Sequence, residues 1–153
     1  MEKIASFQVN HDILKKGLYI SRIDDDIITY DIRMKEPNKG DYLENPTMHT
    51  FEHLFATYTR NTEFSKNIIY VGPMGCRTGF YFLVRNKISH KEVIELLQKT
   101  FDFISKFDDK IPGTNKIECG NYLEHNLEGA RLLAKDMCDV LKNWIEETLI
   151  YET

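Results

Sequence analysis

The chain has 153 residues, of which 42% are hydrophobic, enough to bury one sizeable core. Its 20 basic and 24 acidic residues give a net charge of −4 and are scattered along the sequence rather than gathered into runs. We therefore expect one domain over residues 1–153, with no nucleic-acid partner and no attachment to an anionic membrane.

No segment of the sequence resembles a membrane anchor or an export signal. The longest apolar stretch, Phe80 to Val84, is far shorter than the roughly 20 residues of a membrane helix, and the first residues lack an apolar signal region. We therefore predict a cytoplasmic protein. In that compartment Cys76, Cys119 and Cys138 stay reduced and are available as metal ligands or nucleophiles.

Four segments have the composition of β-strands. Residues 18–22 and 27–33 carry β-branched and aromatic residues in rough alternation, and the three aspartates at 24–26 between them predict a hairpin turn. Residues 67–71 and 79–84 predict two further strands, joined by a glycine-rich segment.

Three segments have the periodicity of helices. One is predicted to open near Pro46 or Thr47 and to run through Arg60, and another to follow Ser89, a good N-cap, and to end near Lys106. The third helical pattern is carried by Leu123, Leu127, Ala130, Ala134, Met137, Leu141 and Ile145. Together these elements predict an α+β domain, in which an antiparallel β-sheet has helices packed on one face.

The most specific motif is His49-Thr50-Phe51-Glu52-His53, on the first long predicted helix. Histidines at positions i and i+4 project from the same helix face, so both imidazoles can reach one metal ion. Glu52 lies close to that face. It can act on a substrate or a water molecule without being a ligand.

A histidine pair at this spacing is, by itself, more often a pair of surface side chains. The balance changes because Cys119, which follows the Pro112-Gly113 turn, supplies a soft ligand. Two histidines and one thiolate leave a fourth tetrahedral position open, which marks a catalytic metal site. His11, His90 and His125 have no partner at ligand spacing, and we expect them to be surface, capping or substrate-site residues.

The second candidate catalytic group is Cys76, which lies in the glycine-rich segment 72–79. Glycines on both sides allow a substrate to approach the backbone closely, and the neighbouring Arg77 is a candidate for holding a thiolate. The alternative is an inert cysteine in a turn. Cys138 lies among apolar residues of the last predicted helix, so we assign it to the core or its boundary.

Three motifs together resemble those of S-ribosylhomocysteine lyase, the autoinducer-2 synthase or LuxS family. They are HTFEH at 49–53, PMGCRTGFY at 73–81 and ECGNY at 118–122, in the order and spacing of the family. The resemblance extends over nearly the whole chain.

The resemblance implies a metal held by His49, His53 and Cys119, with Glu52 and Cys76 as the catalytic acid/base residues. The family's metal is iron(II) in the native state and often zinc or cobalt after purification. Its active sites lie at the interface of a homodimer. The implied reaction cleaves S-ribosylhomocysteine to homocysteine and 4,5-dihydroxy-2,3-pentanedione, the precursor of a quorum-sensing signal, by two carbonyl migrations and a β-elimination.

Matching positions also imply substrate-binding or site-supporting roles for Ser6, His11, Arg33 and Arg60. One position departs from the family. Where many members have an aspartate six residues before the catalytic cysteine, this chain has Tyr70. This departure weakens the transfer to this chain of that aspartate's role, which is to hold the amino-acid end of the substrate.

Two other functions compete with the lyase. A His-x-x-Glu-His motif is also the signature of one class of zinc peptidases, in which Glu52 would activate water. The thiolate ligand, the second cysteine and the short chain argue against a peptidase. The other alternative is a non-catalytic module stabilised by its metal, which would require a fourth protein ligand.

Overall fold

Four antiparallel strands form one sheet, in the order β1-β2-β4-β3, in the computed structural model, which describes residues 1–153. The strands are β1 (Gly17–Asp24), β2 (Ile27–Arg33), β3 (Ile68–Pro73) and β4 (Gly79–Arg85). All four strands predicted from the sequence are confirmed, with ends that differ by no more than a few residues.

The β1–β2 hairpin forms at the predicted aspartate turn. Asp25 has a φ of 52°, a left-handed conformation that aspartate tolerates better than most residues. Side chains alternate along β2, so Ile28, Tyr30 and Ile32 enter the core. Asp31 and Arg33, at the intervening positions, therefore lie on the opposite face of the sheet.

The helices are α1 (Ala5–Gln8), α2 (Asn45–Thr59), α3 (His90–Lys106) and α4 (Leu127–Leu141), with short 3₁₀ turns at Ser65–Asn67 and Glu146–Leu149. Ser89 caps α3 as predicted, in a capping box with Glu92. None of the helices combines the length and the apolar character that crossing a membrane requires.

Helices α2, α3 and α4 cover one face of the sheet, as predicted, and the chain forms a single compact α+β domain. The centre of the core is aromatic: Phe51 and Phe55 of α2 pack against Phe80 of β4 and Phe101 of α3, with ring centroids 5.3 to 6.3 Å apart. Cys138 packs half-buried against this core, at the boundary where the sequence had placed it.

Helix α4 is shorter than its apolar pattern predicted. Asn126 forms its N-cap by accepting a hydrogen bond from the backbone N–H of Gly129, at 2.9 Å. The two ends of the pattern, Leu123 and Ile145, lie outside the helix and are 79% and 53% exposed. The helix begins at this asparagine because its side chain accepts a backbone N–H that the carbonyl of a preceding helical turn would otherwise accept.

Candidate metal centre and catalytic cysteine

Helix α2 presents two different faces to the protein. Phe51 and Phe55, one turn apart, enter the core, whereas His49 and His53 point away from it towards the loop of residues 111–125. The four-residue spacing that places both phenylalanines in the core therefore also directs both imidazoles at the loop that carries Cys119.

The loop brings Cys119 against both histidines. Its Sγ lies 3.3 Å from Nε2 of His49 and 4.0 Å from Nε2 of His53. Potential ligand atoms of His49, His53, Cys119 and His125 all lie within 4.8 Å of one another, so this cluster could hold one metal ion. The three residues that the sequence grouped as ligands are thus brought together.

The imidazole rings are oriented as metal ligands usually are. Nδ1 of His49 donates to the carbonyl of Glu124, and Nδ1 of His53 donates to the carbonyl of Pro112, both at 2.8 Å. A proton on Nδ1 leaves the Nε2 lone pair of each ring free to bind a cation. The residues of the cluster therefore fit a divalent metal.

Gly113 makes the second of these contacts possible. Its φ is +73°, and a Cβ at this position would lie 3.1 Å from Nδ1 of His53. The Pro112-Gly113 turn can therefore bring its carbonyl up to the imidazole without a side chain in the way.

His125, for which the sequence showed no partner at ligand spacing, lies against the two histidines of the cluster. Its ring stacks on His49, with centroids 4.0 Å apart, and its ligand atom belongs to the cluster. Burial lowers the pKa of His125 to about 4, and charge on His49 or His53 acts in the same direction. Spacing along the chain did not reveal this histidine because a turn, rather than a helix, returns it to α2.

The contacts of His125 favour one position for the proton of its ring. Thr50 Oγ1 accepts the backbone N–H of Asn126 and lies 2.9 Å from Nδ1 of His125. Unlike Thr59 and Thr100, Thr50 does not donate to a helix carbonyl four residues earlier, which favours donation of its proton to Nδ1 of His125. The proton of the neutral ring is then on Nε2, which is buried without a partner.

Glu52 is half-buried beside His53 and is not a member of the ligand cluster. None of the protein's ion pairs includes it. A carboxylate with no fixed partner next to a metal site is available to exchange protons with a bound molecule.

Cys76 lies exposed in the β3–β4 hairpin and is connected to a buried arginine. Its Sγ is 3.1 Å from Thr78 Oγ1, and the same oxygen accepts a hydrogen bond from Nη1 of Arg33 at 2.8 Å. Because Thr78 accepts from the guanidinium, its own proton is free to be donated to sulfur. Thr78 therefore connects the sulfur of Cys76 to a buried guanidinium, a contact that the sequence pattern did not predict.

Arg77, the candidate for holding a thiolate at Cys76, makes its contacts elsewhere. Arg77 has a φ of 60°, its guanidinium lies 5.9 Å from the ring centroid of Tyr42, and Nη1 donates to the carbonyl of Leu43. The left-handed backbone at Arg77 turns its side chain towards residues 42 and 43. The cation that reaches Cys76 is Arg33, through Thr78.

Comparison with known proteins identifies the family of this chain. The family model described as S-ribosylhomocysteinase (LuxS) matches residues 4–148. The chain belongs to this family. It is 48% identical to the S-ribosylhomocysteine lyase of Porphyromonas gingivalis over 157 residues, covering 99% of each protein. The lyases of Borreliella afzelii and Clostridium beijerinckii are 44% and 43% identical, again over 99% of each protein.

The remaining candidate residues of this LuxS-family chain are spread over several elements. Ser6, on α1, lines the same surface cavity as Tyr81, on the open face of the sheet. His11 contacts the carbonyl of Val9 at 2.8 Å, and Arg60, just after α2, donates to the carbonyl of Ile69 at 3.2 Å. Nothing in these contacts opposes a role in substrate binding.

Tyr70, the departure from the family pattern, lies on β3 after a bulge and is 55% exposed. Its hydroxyl folds back over Gly72, where a Cβ would collide with it. A neutral, bulky phenol therefore occupies the position at which many LuxS-family members carry a carboxylate.

The two groups of catalytic candidates lie on different layers of this LuxS-family domain. The metal cluster is on the outer side of α2, in the helix layer. Cys76 is connected through Thr78 to Arg33, on the sheet face that the helices leave open. The sheet and the helix layer therefore separate them within one chain.

Proposed function

We propose that this protein is a metal-dependent S-ribosylhomocysteine lyase of the cytoplasm that acts as a homodimer. The observation that carries the proposal is a cluster with two oriented histidines and one cysteine, in a chain of the LuxS family. Three unpaired cysteines are consistent with a reducing compartment.

His49, His53 and Cys119 are the proposed ligands of one divalent metal per subunit, which leaves one tetrahedral position for the substrate. Iron(II) is the proposed native metal, with zinc or cobalt as substitutes, since imidazole and thiolate ligands suit all three. When bound, the metal supplies Lewis acidity that polarises the carbonyl and hydroxyl oxygens of the ribose and makes the adjacent C–H groups acidic.

Cys76 is the proposed base for the first carbonyl migrations. Its thiolate, hydrogen-bonded by Thr78, removes a proton from one ribose carbon and returns it to the neighbouring carbon, so the carbonyl moves along the chain without a redox cofactor. Arg33 keeps Thr78 oriented with its proton towards sulfur.

Glu52 is the proposed base for the last step. Its carboxylate removes the C4 proton, and the electron pair forms a C4–C5 double bond as the C5–S bond breaks. Homocysteine leaves as a thiol after taking up a proton. Ser6, His11, Arg33 and Arg60 are proposed to bind the substrate or support the site, and the pentanedione product is proposed to serve as a signal precursor.

The direct test is turnover of S-ribosylhomocysteine by anaerobically purified protein, followed by release of the free homocysteine thiol, with metal content measured on the same sample. We expect thiol release that requires metal. Absence of release by fully metallated protein would overturn the proposal, and cleavage of casein under the same conditions would support a peptidase.

One observation favours the non-catalytic alternative, because His125 could close the metal site as a fourth ligand. The contact with Thr50 argues against this closure: when Thr50 donates to Nδ1, the neutral ring carries its proton on Nε2 and offers a hydrogen-bond donor there rather than a lone pair. We therefore propose that His125 donates to an atom at the open position.

The variant His125→Gln separates a donor from a ligand. Because glutamine keeps an N–H donor, we expect the cobalt(II)-loaded variant to keep its metal through dialysis and to keep the visible absorption of the wild type. Cys119→Ala is the reference for ligand loss, and it should lose its metal together with the thiolate-to-metal absorption. If His125→Gln behaves as Cys119→Ala does, the site is closed and the non-catalytic alternative gains support.

A further inference from the structure

Tyr151 lies three residues beyond the segment that matches the LuxS family, yet it reaches the buried ion pair under Cys76. Its hydroxyl donates to Oδ2 of Asp31 at 2.6 Å. Its ring stacks on Tyr19 of β1, with centroids 5.0 Å apart and planes inclined by 21°. The stack and the hydrogen bond together fix the C-terminal tail on the open face of the sheet.

Asp31 has few other partners. The same Oδ2 accepts from Nη2 of Arg33 at 2.6 Å, and both residues are almost fully buried, at 1% and 3% exposure. Oδ1 of Asp31 and Nε of Arg33 are buried with no hydrogen-bond partner. Tyr151 is therefore the one side chain besides Arg33 that stabilises the charge of this carboxylate.

A continuous hydrogen-bond chain runs from the tail to the catalytic cysteine. Tyr151 donates to Asp31, Arg33 donates to both Asp31 and Thr78, and Thr78 is left to donate to the sulfur of Cys76. In this chain the positive charge of Arg33 attracts negative charge on the sulfur of Cys76, whereas the negative charge of Asp31 repels it. A hydrogen bond donated to Asp31 weakens the repulsion between its carboxylate and the sulfur.

We propose that Tyr151 is a positioning residue that, by donating to Asp31, leaves more of the charge of Arg33 available to the thiolate of Cys76. The proposal rests on the proposed role of Cys76 as a base. It gives a function in the reaction to a residue outside the family-matched segment.

Tyr151 is suited to this role because it stays protonated. Burial raises the pKa of its hydroxyl, and the charge of Asp31 raises it further, so the group is a donor throughout the neutral range. The other charged or titratable groups around this pair are Tyr19 of β1, Tyr81 of β4, Cys76 and Glu152 of the tail, and Arg22 and Tyr70 lie further along the same face. Burial, with a further contribution from Asp31, also raises the pKa of Tyr19 and Tyr81.

The test is the rate at which iodoacetamide alkylates Cys76 in Tyr151→Phe, measured from pH 6 to pH 10 on the Cys76 peptide by mass spectrometry. Phenylalanine keeps the stacked ring and removes only the hydroxyl. We expect alkylation near neutral pH to slow by about threefold to tenfold and its profile to move to higher pH, since one hydrogen bond to a charged group is lost. With S-ribosylhomocysteine, kcat should fall while KM changes little.

Tyr19→Phe is the matched control. It removes a hydroxyl from the same aromatic stack, but that hydroxyl donates to the carbonyl of Lys15 rather than to Asp31. We expect a wild-type alkylation profile for this control. A chain ending at Ile150 provides a second variant, which should react at least as slowly as Tyr151→Phe.

The outcomes separate this proposal from the proposed function. If Tyr151→Phe is alkylated at the wild-type rate while the wild type cleaves S-ribosylhomocysteine, the role of Tyr151 is refuted and the lyase stands. If alkylation slows in Tyr151→Phe but metallated wild type releases no homocysteine, the hydrogen-bond chain stands and the lyase is refuted. Equal slowing in Tyr19→Phe would show a general effect of the stack and would overturn the proposal.

Discussion

Glu52 lies beside the metal cluster, whereas Cys76 is connected to the open face of the sheet. We therefore expect the loss of each side chain to impair a different step of the reaction. Glu52→Gln keeps the shape of the side chain but cannot take a proton. We expect this variant to keep its metal and to lose about 10²- to 10⁴-fold in turnover, the usual value of general acid/base catalysis. Because the final elimination stalls, ketone intermediates should accumulate, which NMR can detect.

Cys76→Ala should also keep its metal, because the cysteine lies outside the ligand cluster. Here the earliest step should slow, namely exchange of the C2 proton of the substrate with deuterium from solvent. Normal C2 exchange in Cys76→Ala, measured by NMR, would contradict the assignment of Cys76 as the early base.

Some of these residues could be predicted from the sequence and others could not. His49 and His53 follow from helical spacing alone, since positions i and i+4 always share a face. His125 and Thr78 were missed because their contacts join segments that are distant in sequence or held by a turn. Arg77 was misjudged because adjacency in sequence says nothing about side-chain direction when the backbone is left-handed.

At the scale of elements, the N-terminus of α4 is also part of the metal site. Asn126 caps the helix with its side chain and donates its backbone N–H to Thr50 of α2. The preceding residues, Glu124 and His125, contact the metal cluster. The helix cap therefore fixes the loop that carries Cys119 against α2.

We predict that Asn126→Ala lowers both the stability of the fold and the affinity for metal. Loss of the cap should reduce the free energy of unfolding by about 1 kcal/mol, measured with denaturant. Because the loop then holds its carbonyl and cysteine less firmly, metal affinity should fall by up to about tenfold, the lower end of the range for groups that orient metal ligands.

Ser89→Ala is the matched control for this prediction. Ser89 caps α3 in the same manner, by accepting from the N–H of Glu92 at 3.1 Å, but no residue of the metal cluster lies near it in the sequence or on its helix. We expect the same loss of stability with unchanged metal affinity. A similar fall in metal affinity in both variants would mean that the effect comes from general destabilisation.

The elements themselves were largely predictable because their signals are local. The aspartate turn, the Ser89 cap and the apolar period of α3 each act within a few residues. The apolar periodicity of α4, by contrast, did not predict the residue at which this helix begins. Leu123 continues the apolar pattern, but the turn that returns His125 to α2 ends the helix at Asn126 instead.

On the scale of the whole molecule, one chain does not bring its two catalytic groups together. The metal cluster lies in the helix layer, and Cys76 is connected to the open face of the sheet. That open face carries exposed apolar surface, including Tyr70 of β3 and the neighbouring Ile4, at 55% and 56% exposure. A second copy packed there would cover this surface and could present its metal cluster to Cys76.

We predict that mixing two inactive variants, Cys76→Ala and Cys119→Ala, restores activity. The first subunit retains its metal and the second retains its cysteine, so a hybrid dimer has one complete site if each site takes the metal from one subunit and Cys76 from the other. Random pairing makes half of the dimers hybrids with one of two sites complete, so about a quarter of wild-type activity should return. Unfolding and refolding the variants together permits the exchange, and each variant refolded alone gives the background. If sites instead draw both groups from one chain, the hybrid contains no complete site, and the mixture should remain as inactive as its components.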